Sequence, residues 1–300
     1  MSPTIICGID DSTHARAAAR LTFALAERLS LRPVLVHAVS GAVPPLMPVM
    51  PHRVPLERGE LVLAAREAGE RLLEEILAEA GGSDARGRIE AGRPAERVVA
   101  AAEDEDAALV VVGTHGDGVG RATLLGSVSL STVRDARCPV VVVPPRAAVA
   151  EDAPLAGERV LCGIGSADDK RCALLAARLA GDLGLPLTLA HVLPAEYGGT
   201  GAPVPPGTSS GRERREAEGR AVLRAVTEAV PGGHDLRMCT GEPAEELDAL
   251  AVRERAAMVV VGTRGYGPLR SALLGSVSRE LACHGSRPLM VCPARARRKD

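Results

Sequence analysis

The sequence predicts an α/β protein built from two tandem copies of one doubly wound, parallel-sheet domain. Apolar strand-like runs alternate with amphipathic helical segments, which is the pattern of βαβ units. Several of these runs, such as VVV and VVVV, are continuously aliphatic, as in strands that are covered on both faces. A glycine-rich stretch at residues 109–127 returns at residues 258–276, so the order of elements is present twice.

Composition limits the classes of function. A chain of 300 residues, 46% hydrophobic and 25% charged, can bury a core in each of about two domains. A net charge of −2, one Phe, two Tyr and no Trp disfavour nucleic-acid binding through a basic field or aromatic stacking. No apolar run approaches the roughly 18 residues that span a bilayer, and no targeting segment is visible. We expect a cytoplasmic protein whose seven cysteines, without a CxxC pair, are reduced thiols.

The first half is predicted to contain five strands and four helices in alternation. The first strand, residues 4–9, is rich in β-branched residues, and Ser12 is placed to cap the helix that follows. The later predicted strands cover residues 34–39, 88–91, 109–112 and 139–143, and the later helices cover residues 58–80, 94–104 and 127–137. The buried stripe of the second helix is predicted to comprise Leu61, Ala65, Ala68, Leu72 and Ile76.

The second half repeats this order after a polar, small-residue segment. The predicted division is a domain at residues 1–147, a linker at 148–158 and a domain at 159–300. Residues 108–145 and 257–294, aligned at a constant offset of 149, are identical at 18 of 38 positions. This similarity is far above chance and indicates an internal duplication.

Each copy carries a glycine pattern that suits phosphate binding: Gly, two residues, Gly, nine residues, Gly-Ser. In the first copy these residues are Gly113, Gly116, Gly126 and Ser127, and in the second they are Gly262, Gly265, Gly275 and Ser276. Glycines permit positive φ and close approach of the backbone to a ligand. The helix that follows presents unpaired N–H groups and the positive end of its dipole. The alternative, that these glycines only form turns, stays open at this point.

Other phosphate and catalytic motifs are missing from the sequence. It contains no GxxxxGK[ST], and the first strand leads into Asp10-Asp11-Ser12 rather than GxGxxG. The SGGxDS loop of ATP-pyrophosphatase-like ligases is also missing, and no nucleophile–base pair stands at a useful spacing. We therefore expect a nucleotide-binding sensor or regulator rather than an enzyme, with slow ATP hydrolysis at most.

The combined motifs resemble the universal stress protein family in its tandem two-domain form. They are GIDDS after the first strand, HAV at residues 37–39, VVVGTHG followed after nine residues by GS, and a closing PVVVVP. The resemblance implies Rossmann-like, adenine nucleotide α-hydrolase-like domains, each an open five-stranded parallel sheet in the order 3-2-1-4-5. It also implies ATP as the ligand, with its phosphates on the loop after the fourth strand.

The resemblance also implies roles for single residues. Asp10 would lie near the nucleotide and help to hold a divalent ion such as Mg²⁺, Ile9 would border the adenine, and Val39 or the neighbouring Ala38 would meet the base. The glycines and serines of the two loops would hold ribose and phosphates: Gly113, Gly116, Gly126, Ser127, Gly262, Gly265, Gly275 and Ser276.

The second copy departs from this pattern at one position. Gly165 stands where the first copy has Asp10, and Asp168 and Asp169 follow as residues typical of a helix start. We therefore expect asymmetric sites, with the first half the better binder. His37 and His191, at matching strand ends, are interpreted as structural.

The last strand of each half resembles a dimer contact of the family. A tandem chain can satisfy this contact internally as a pseudo-dimer, while a further homodimer stays open. The alternative function is a dimerisation or interaction protein of the same fold that binds no nucleotide.

Overall fold

A computed structural model describes residues 3–39, 58–79, 84–114, 125–148, 155–194, 209–263 and 274–293. The strands of the described chain are β1 Thr4–Ile9, β2 Arg32–Val39, β3 Arg86–Ala91, β4 Leu109–Gly113, β5 Val140–Val143, β6 Arg159–Gly163, β7 Leu187–Leu193, β8 His234–Thr240, β9 Ala256–Gly262 and β10 Leu289–Cys292. The helices are α1 Thr13–Leu29, α2 Arg58–Glu79, α3 Pro94–Asp104, α4 Ser127–Asp135, α5 Pro145–Ala148, α6 Lys170–Leu183, α7 Ser209–Thr227, α8 Pro243–Arg253 and α9 Ser276–His284.

These strands form one sheet in the order β3-β2-β1-β4-β5-β10-β9-β6-β7-β8. Each half contributes five parallel strands in the order 3-2-1-4-5, counted within that half. The halves meet where β5 pairs antiparallel with β10, with Val141 opposite Met290. The last strands of the two halves are therefore partners of each other within the chain.

Helices cover both faces of this sheet. Residues of α1, α2, α6 and α7 share one buried cluster, to which they contribute Leu25, Ile76, Ala176 and Leu223. Residues of α3, α4, α8 and α9 share the other, to which they contribute Val98, Val133, Leu247 and Leu281. Equivalent helices of the two halves thus lie on the same face, so the pseudo-twofold axis runs perpendicular to the sheet.

The start of α1 follows the capping prediction. The hydroxyl oxygen of Ser12 accepts a hydrogen bond from the backbone N of Ala15 at 3.1 Å, which satisfies one of the free N–H groups of the first turn. The helix ends at Ser30, whose φ of 53° closes the last turn in the left-handed conformation. The helix therefore begins directly after Asp10 and Asp11.

The buried stripe predicted for α2 is wrong at two positions, and the side chain of Leu61, its first member, lies outside the described residues. Ala65 and Ala68 are exposed, whereas Leu72 and Ile76 are buried as predicted. The helix approaches the sheet closely at Gly69, where a Cβ would lie 2.5 Å from Cδ2 of His37. The sequence pattern did not reveal this approach, because helical periodicity identifies a face but not where that face meets the sheet.

A short helix lies where the predicted first domain, residues 1–147, meets the predicted linker, residues 148–158. Pro145–Ala148 forms the short helix α5, and residues 149–154 lie outside the described residues. At the other end, Gly157 passes so close to β9 that a Cβ would lie 2.2 Å from the backbone N of Ala257. Among the helices described, none has the length and hydropathy needed to cross a membrane.

Candidate nucleotide site

The candidate site lies at the carboxyl ends of β1 and β4, which are neighbouring strands. The first turn of α1 passes over the end of β4, where a Cβ on Gly113 would lie 2.8 Å from the backbone carbon of His14. Glycine is required here by this close packing between a strand end and a helix start. Carboxyl ends of parallel strands are where open α/β sheets bind their ligands.

The start of α4 is fixed directly beyond this strand end. Gly126, the N-cap residue, donates a backbone hydrogen bond to the carbonyl of Thr114 at 2.9 Å. The hydroxyl of Ser129 donates to the carbonyls of Gly113 at 2.6 Å and Thr114 at 3.2 Å. Ser127, at the first helical position, is exposed. The N-terminal N–H groups of α4 are thus held at the sheet edge, a geometry that suits an anion.

None of the described loop glycines has an unusual backbone conformation, and Gly113 is required by close packing instead. We expected positive φ in the loops, but Gly126 has φ −58° and Gly275 has φ −60°, and Gly113 and Gly262 are also outside the positive-φ region. That part of the expectation is wrong for the described glycines. Gly116 and Gly265, together with the rest of both loops, lie outside the described residues.

Asp10 follows β1 and is partly buried. Its Oδ1 atom accepts hydrogen bonds from the backbone N of Ser12 at 3.1 Å and from the hydroxyl of the same serine. This turn directs the chain from the strand into α1. The carboxylate is therefore held in place by its neighbours at the same sheet edge as the start of α4.

Ile9 and Val39 lie at the ends of neighbouring strands, and both are buried. Ile9 is in register with His37, whose Nδ1 atom lies 3.0 Å from the Ile9 carbonyl. Because a carbonyl only accepts, Nδ1 carries the proton and the ring holds the ends of β1 and β2 together. His191 makes the same contact with the Ile164 carbonyl at 2.7 Å. Both rings are therefore hydrogen-bonded at a strand end, as the interpretation of these histidines as structural expects.

The second half repeats the anchoring of the loop. Gly275 donates to the Thr263 carbonyl at 3.0 Å, and the hydroxyl of Ser278 donates to the Gly262 carbonyl at 2.8 Å. Ser276 is exposed at the start of α9, like its counterpart in α4. The two anchoring serines, Ser129 and Ser278, were not among the predicted site residues, although their identity in both copies of the duplicated segment is a signal that could have found them.

In the second half, the turn after β6 is held by Asp169, which lies four residues beyond Gly165. In the first half, the corresponding carboxylate is that of Asp10, directly after β1. The Oδ2 atom of Asp169 accepts from the backbone N of Gly165 at 2.8 Å and of Ser166 at 2.9 Å, and Ser166 completes a capping box. Asp169 is thus a helix-start residue, as predicted. Burial raises the pKa of its carboxyl, although the hydrogen bonds from Ser166 and Gly165 oppose that rise.

The side chains of the candidate site suit a divalent ion that is already bound to the phosphates of a ligand. Among the described residues, no group of three or more His, Cys, Asp or Glu side chains could hold an ion by itself. Asp10 offers a single carboxylate. Mg²⁺ is commonly bound by one or two carboxylates together with substrate phosphates, so this donor fits a nucleotide-borne ion better than a resident one.

Comparison with known proteins identifies the family. The model of the universal stress protein family matches residues 1–144 and again 157–293. A universal stress protein of Mycobacterium tuberculosis is 33% identical over 305 residues, covering 96% of this chain and 95% of its own. A universal stress protein of Mycolicibacterium smegmatis is 30% identical over 298 residues, covering 96% of each chain.

Solved structures support the fold. The crystal structure of a universal stress protein from Archaeoglobus fulgidus matches with a TM-score of 0.63 and 18% identity, covering 97% of this chain and 96% of that one. At that identity the likeness shows the fold alone. Together with the two matches of the family model, it means that this chain belongs to the universal stress protein family, with two family domains in tandem.

Proposed function

We propose that this protein binds ATP, with its Mg²⁺, and acts as a stress-response sensor or regulator in the cytoplasm rather than as a metabolic enzyme. The observation that carries the proposal is the anchored start of α4. A buried serine, Ser129, holds that helix start against the end of β4, and the chain after the neighbouring strand supplies Asp10. A helix N-terminus beside a carboxylate matches the two parts of a metal–phosphate ligand.

The roles of the site residues follow from their positions. The N–H groups at Gly126 and Ser127 would receive the phosphates, and Asp10 would hold the nucleotide-borne ion. Ile9 and Val39 would border the adenine at the ends of β1 and β2. The second half would use Gly262, Gly275 and Ser276 in the same way without an equivalent of Asp10, so the first half is proposed as the tighter site.

Regulation rather than catalysis is proposed because the described edge offers no general base. His37 donates its Nδ1 proton to the Ile9 carbonyl, and its other ring nitrogen, Nε2, packs against α2, where a Cβ on Gly69 would lie 3.0 Å from it. Asp10 accepts two hydrogen bonds from Ser12. Hydrolysis would then be slow, with only the metal ion and the helix dipole stabilising charge in the transition state.

Mass spectrometry of the denatured protein tests this function. Protein purified without added nucleotide is precipitated, and the supernatant is analysed for adenine nucleotides, with a mock purification as the control. We expect ATP to be released, or else to bind to the emptied protein in a titration. Protein that releases no nucleotide and takes up none at millimolar ATP would favour the alternative function, an interaction protein of this fold.

A further inference from the structure

The two outer strands of the sheet, β3 and β8, carry helices whose charges are opposite. Gly69 of α2 and Gly219 of α7 are equivalent, because each packs on the ring of the matching histidine, His37 or His191. One residue further along, α2 has Glu70 and α7 has Arg220. Five residues further along, α2 has Glu74 and α7 has Arg224.

On the β8 side these arginines border an open apolar groove of about 340 Å³ between α7 and the strand. Leu236 and Met238 form its strand side and are 45% and 36% exposed. Thr227 also lines the groove, and its buried hydroxyl has no hydrogen-bond partner in the described part of the chain. Within the described residues, apolar surface is thus left uncovered at this edge.

The β3 edge differs at the equivalent positions. His37 is in register with Ile89, and His191 with Met238, so Gly87 occupies the position of Leu236. A Cβ on Gly87 would lie 3.2 Å from Cδ1 of Leu73, so α2 packs closely over this strand. Leu63, on the same helical stripe as Glu70 and Glu74, is 61% exposed. One edge therefore has a basic apolar groove and the other an acidic, closely packed helix.

We propose that the β8 edge of one copy of this chain binds the β3 edge of a second copy, which gives a head-to-tail assembly. The two halves run antiparallel, so β3 of the second copy would add to β8 as an antiparallel strand. Because α2 and α7 lie on the same face of the sheet, α2 of that copy would then lie beside α7 and cover its groove.

Charge selects this arrangement over the symmetric ones. A β8–β8 contact would set Arg220 and Arg224 against the same arginines, and a β3–β3 contact would set Glu70 and Glu74 against the same glutamates. At these four positions, only the head-to-tail contact joins opposite charges. Arg220 is also 3.6 Å from Glu216, and Glu70 is 3.1 Å from Arg66. In the described residues Arg224 and Glu74 form no ion pair within the chain, so they are the leading pair of the contact.

The symmetry of the contact predicts how assembly depends on concentration. A head-to-tail contact joins two different surfaces, so each added copy offers a fresh β8 or β3 edge. Sedimentation velocity at low salt should therefore show a series of species that grows with protein concentration and shrinks at high salt. A chain that stays monomeric throughout, or an assembly that stops at the dimer, overturns the proposal.

Charge reversal provides the specific test. The Arg220→Glu/Arg224→Glu variant should weaken self-association by about tenfold or more, since its two new glutamates would face Glu70 and Glu74 of the second copy. Adding Glu70→Arg and Glu74→Arg to that variant should restore it, because every pair is again opposite in sign. These side chains are exposed, and circular dichroism checks that each variant is folded. Unchanged association of the double variant, or no recovery in the quadruple variant, rules out this contact.

Discussion

At the residue scale, the difference between the two halves that bears most on the proposed site is Asp10, where the second half has Gly165. Its carboxylate accepts two hydrogen bonds from Ser12 and lies at the edge where α4 begins. In the second half, the carboxylate of Asp169 is bound by the N–H groups of Gly165 and Ser166. Both carboxylates organise a helix start, but only Asp10 extends from the strand end itself.

The Asp10→Asn variant tests the role of this charge. Asparagine keeps an oxygen that accepts from Ser12, so the fold should stay intact while the negative charge for Mg²⁺ is lost. We expect Mg·ATP affinity to fall by about tenfold, or 1.4 kcal/mol. Isothermal titration calorimetry measures this, with Asp11→Ala as the control, since Asp11 is an exposed neighbour. Equal affinity of Asp10→Asn and the unaltered protein would show that Asp10 does not hold the ion.

The buried thiol of Cys7 gives a prediction about pH. Burial raises its pKa from 9.0 to about 12, a hydrogen bond with Thr22 opposes the rise, and the charge of Asp10 adds to it. Between these values the unfolded thiol loses its proton while the folded one keeps it. The free energy of unfolding should therefore be unaffected by this thiol below pH 9 and fall above it, by up to ~1.4 kcal/mol per pH unit.

Urea unfolding at a series of pH values from 8 upward checks this prediction. Cys172 and Cys292, whose pKa values are also raised, add to the same slope. The Cys7→Ala variant should be less stable at pH 8 because of the cavity, but its stability should fall less steeply above pH 9. If the slope is the same with and without Cys7, its thiol does not stay protonated in the folded protein.

At the scale of elements, the hydrogen bonds between α4 and the end of β4 fix the position of the helix start in the proposed site. The hydroxyl of Ser129 reaches the Gly113 carbonyl at 2.6 Å without facing the proposed ligand. In Ser129→Ala this buried carbonyl loses its donor, which should lower the free energy of unfolding by ~1–2 kcal/mol. ATP affinity should fall as well, because the helix start is less firmly placed. Ser131→Ala, in the same helix, is the control, and equal behaviour of the two variants would contradict an anchoring role.

Which elements exist, and in what order, could be predicted because their signals are local. Aliphatic runs marked the strands and Ser12 marked the start of α1. What could not be predicted is how the elements meet. Ala65 and Ala68 are exposed because, among its described side chains, α2 is buried against the sheet from Gly69 onward, where His37 leaves no room for a Cβ. Such a contact depends on two residues that are far apart in sequence, so no local pattern encodes it.

The candidate site, too, could be located from local sequence signals, but its contacts could not be predicted from them. Glycine spacing pointed to the start of α4, but the positive φ offered as one reason for the glycines is not found at the described ones. Gly113 is needed because α1 passes over it at His14, and Gly126 has a backbone conformation open to most residues. The duplication pointed to candidate positions, whereas the packing around them is shown only by the folded chain.

At the scale of the whole molecule, the joined sheet predicts that the two halves unfold together. β5 and β10 are fully buried, and the hydroxyl of Thr114, beside the proposed site, donates to the Val143 carbonyl and lies 3.4 Å from that of Ala282 in the other half. Scanning calorimetry should show one transition whose van 't Hoff and calorimetric enthalpies agree. Two separate transitions would mean that this junction does not couple the halves.

The most direct test is calorimetric titration of ATP into Gly126→Asp and Gly275→Asp variants beside the unaltered chain. Aspartate is a favourable N-cap residue and the backbone there suits it, so both helices should form while the added charge repels phosphate. We predict that the unaltered protein binds ATP and that Gly126→Asp loses more of this affinity than Gly275→Asp. Absence of ATP binding would contradict the nucleotide function, and a larger loss in Gly275→Asp would reverse the asymmetry.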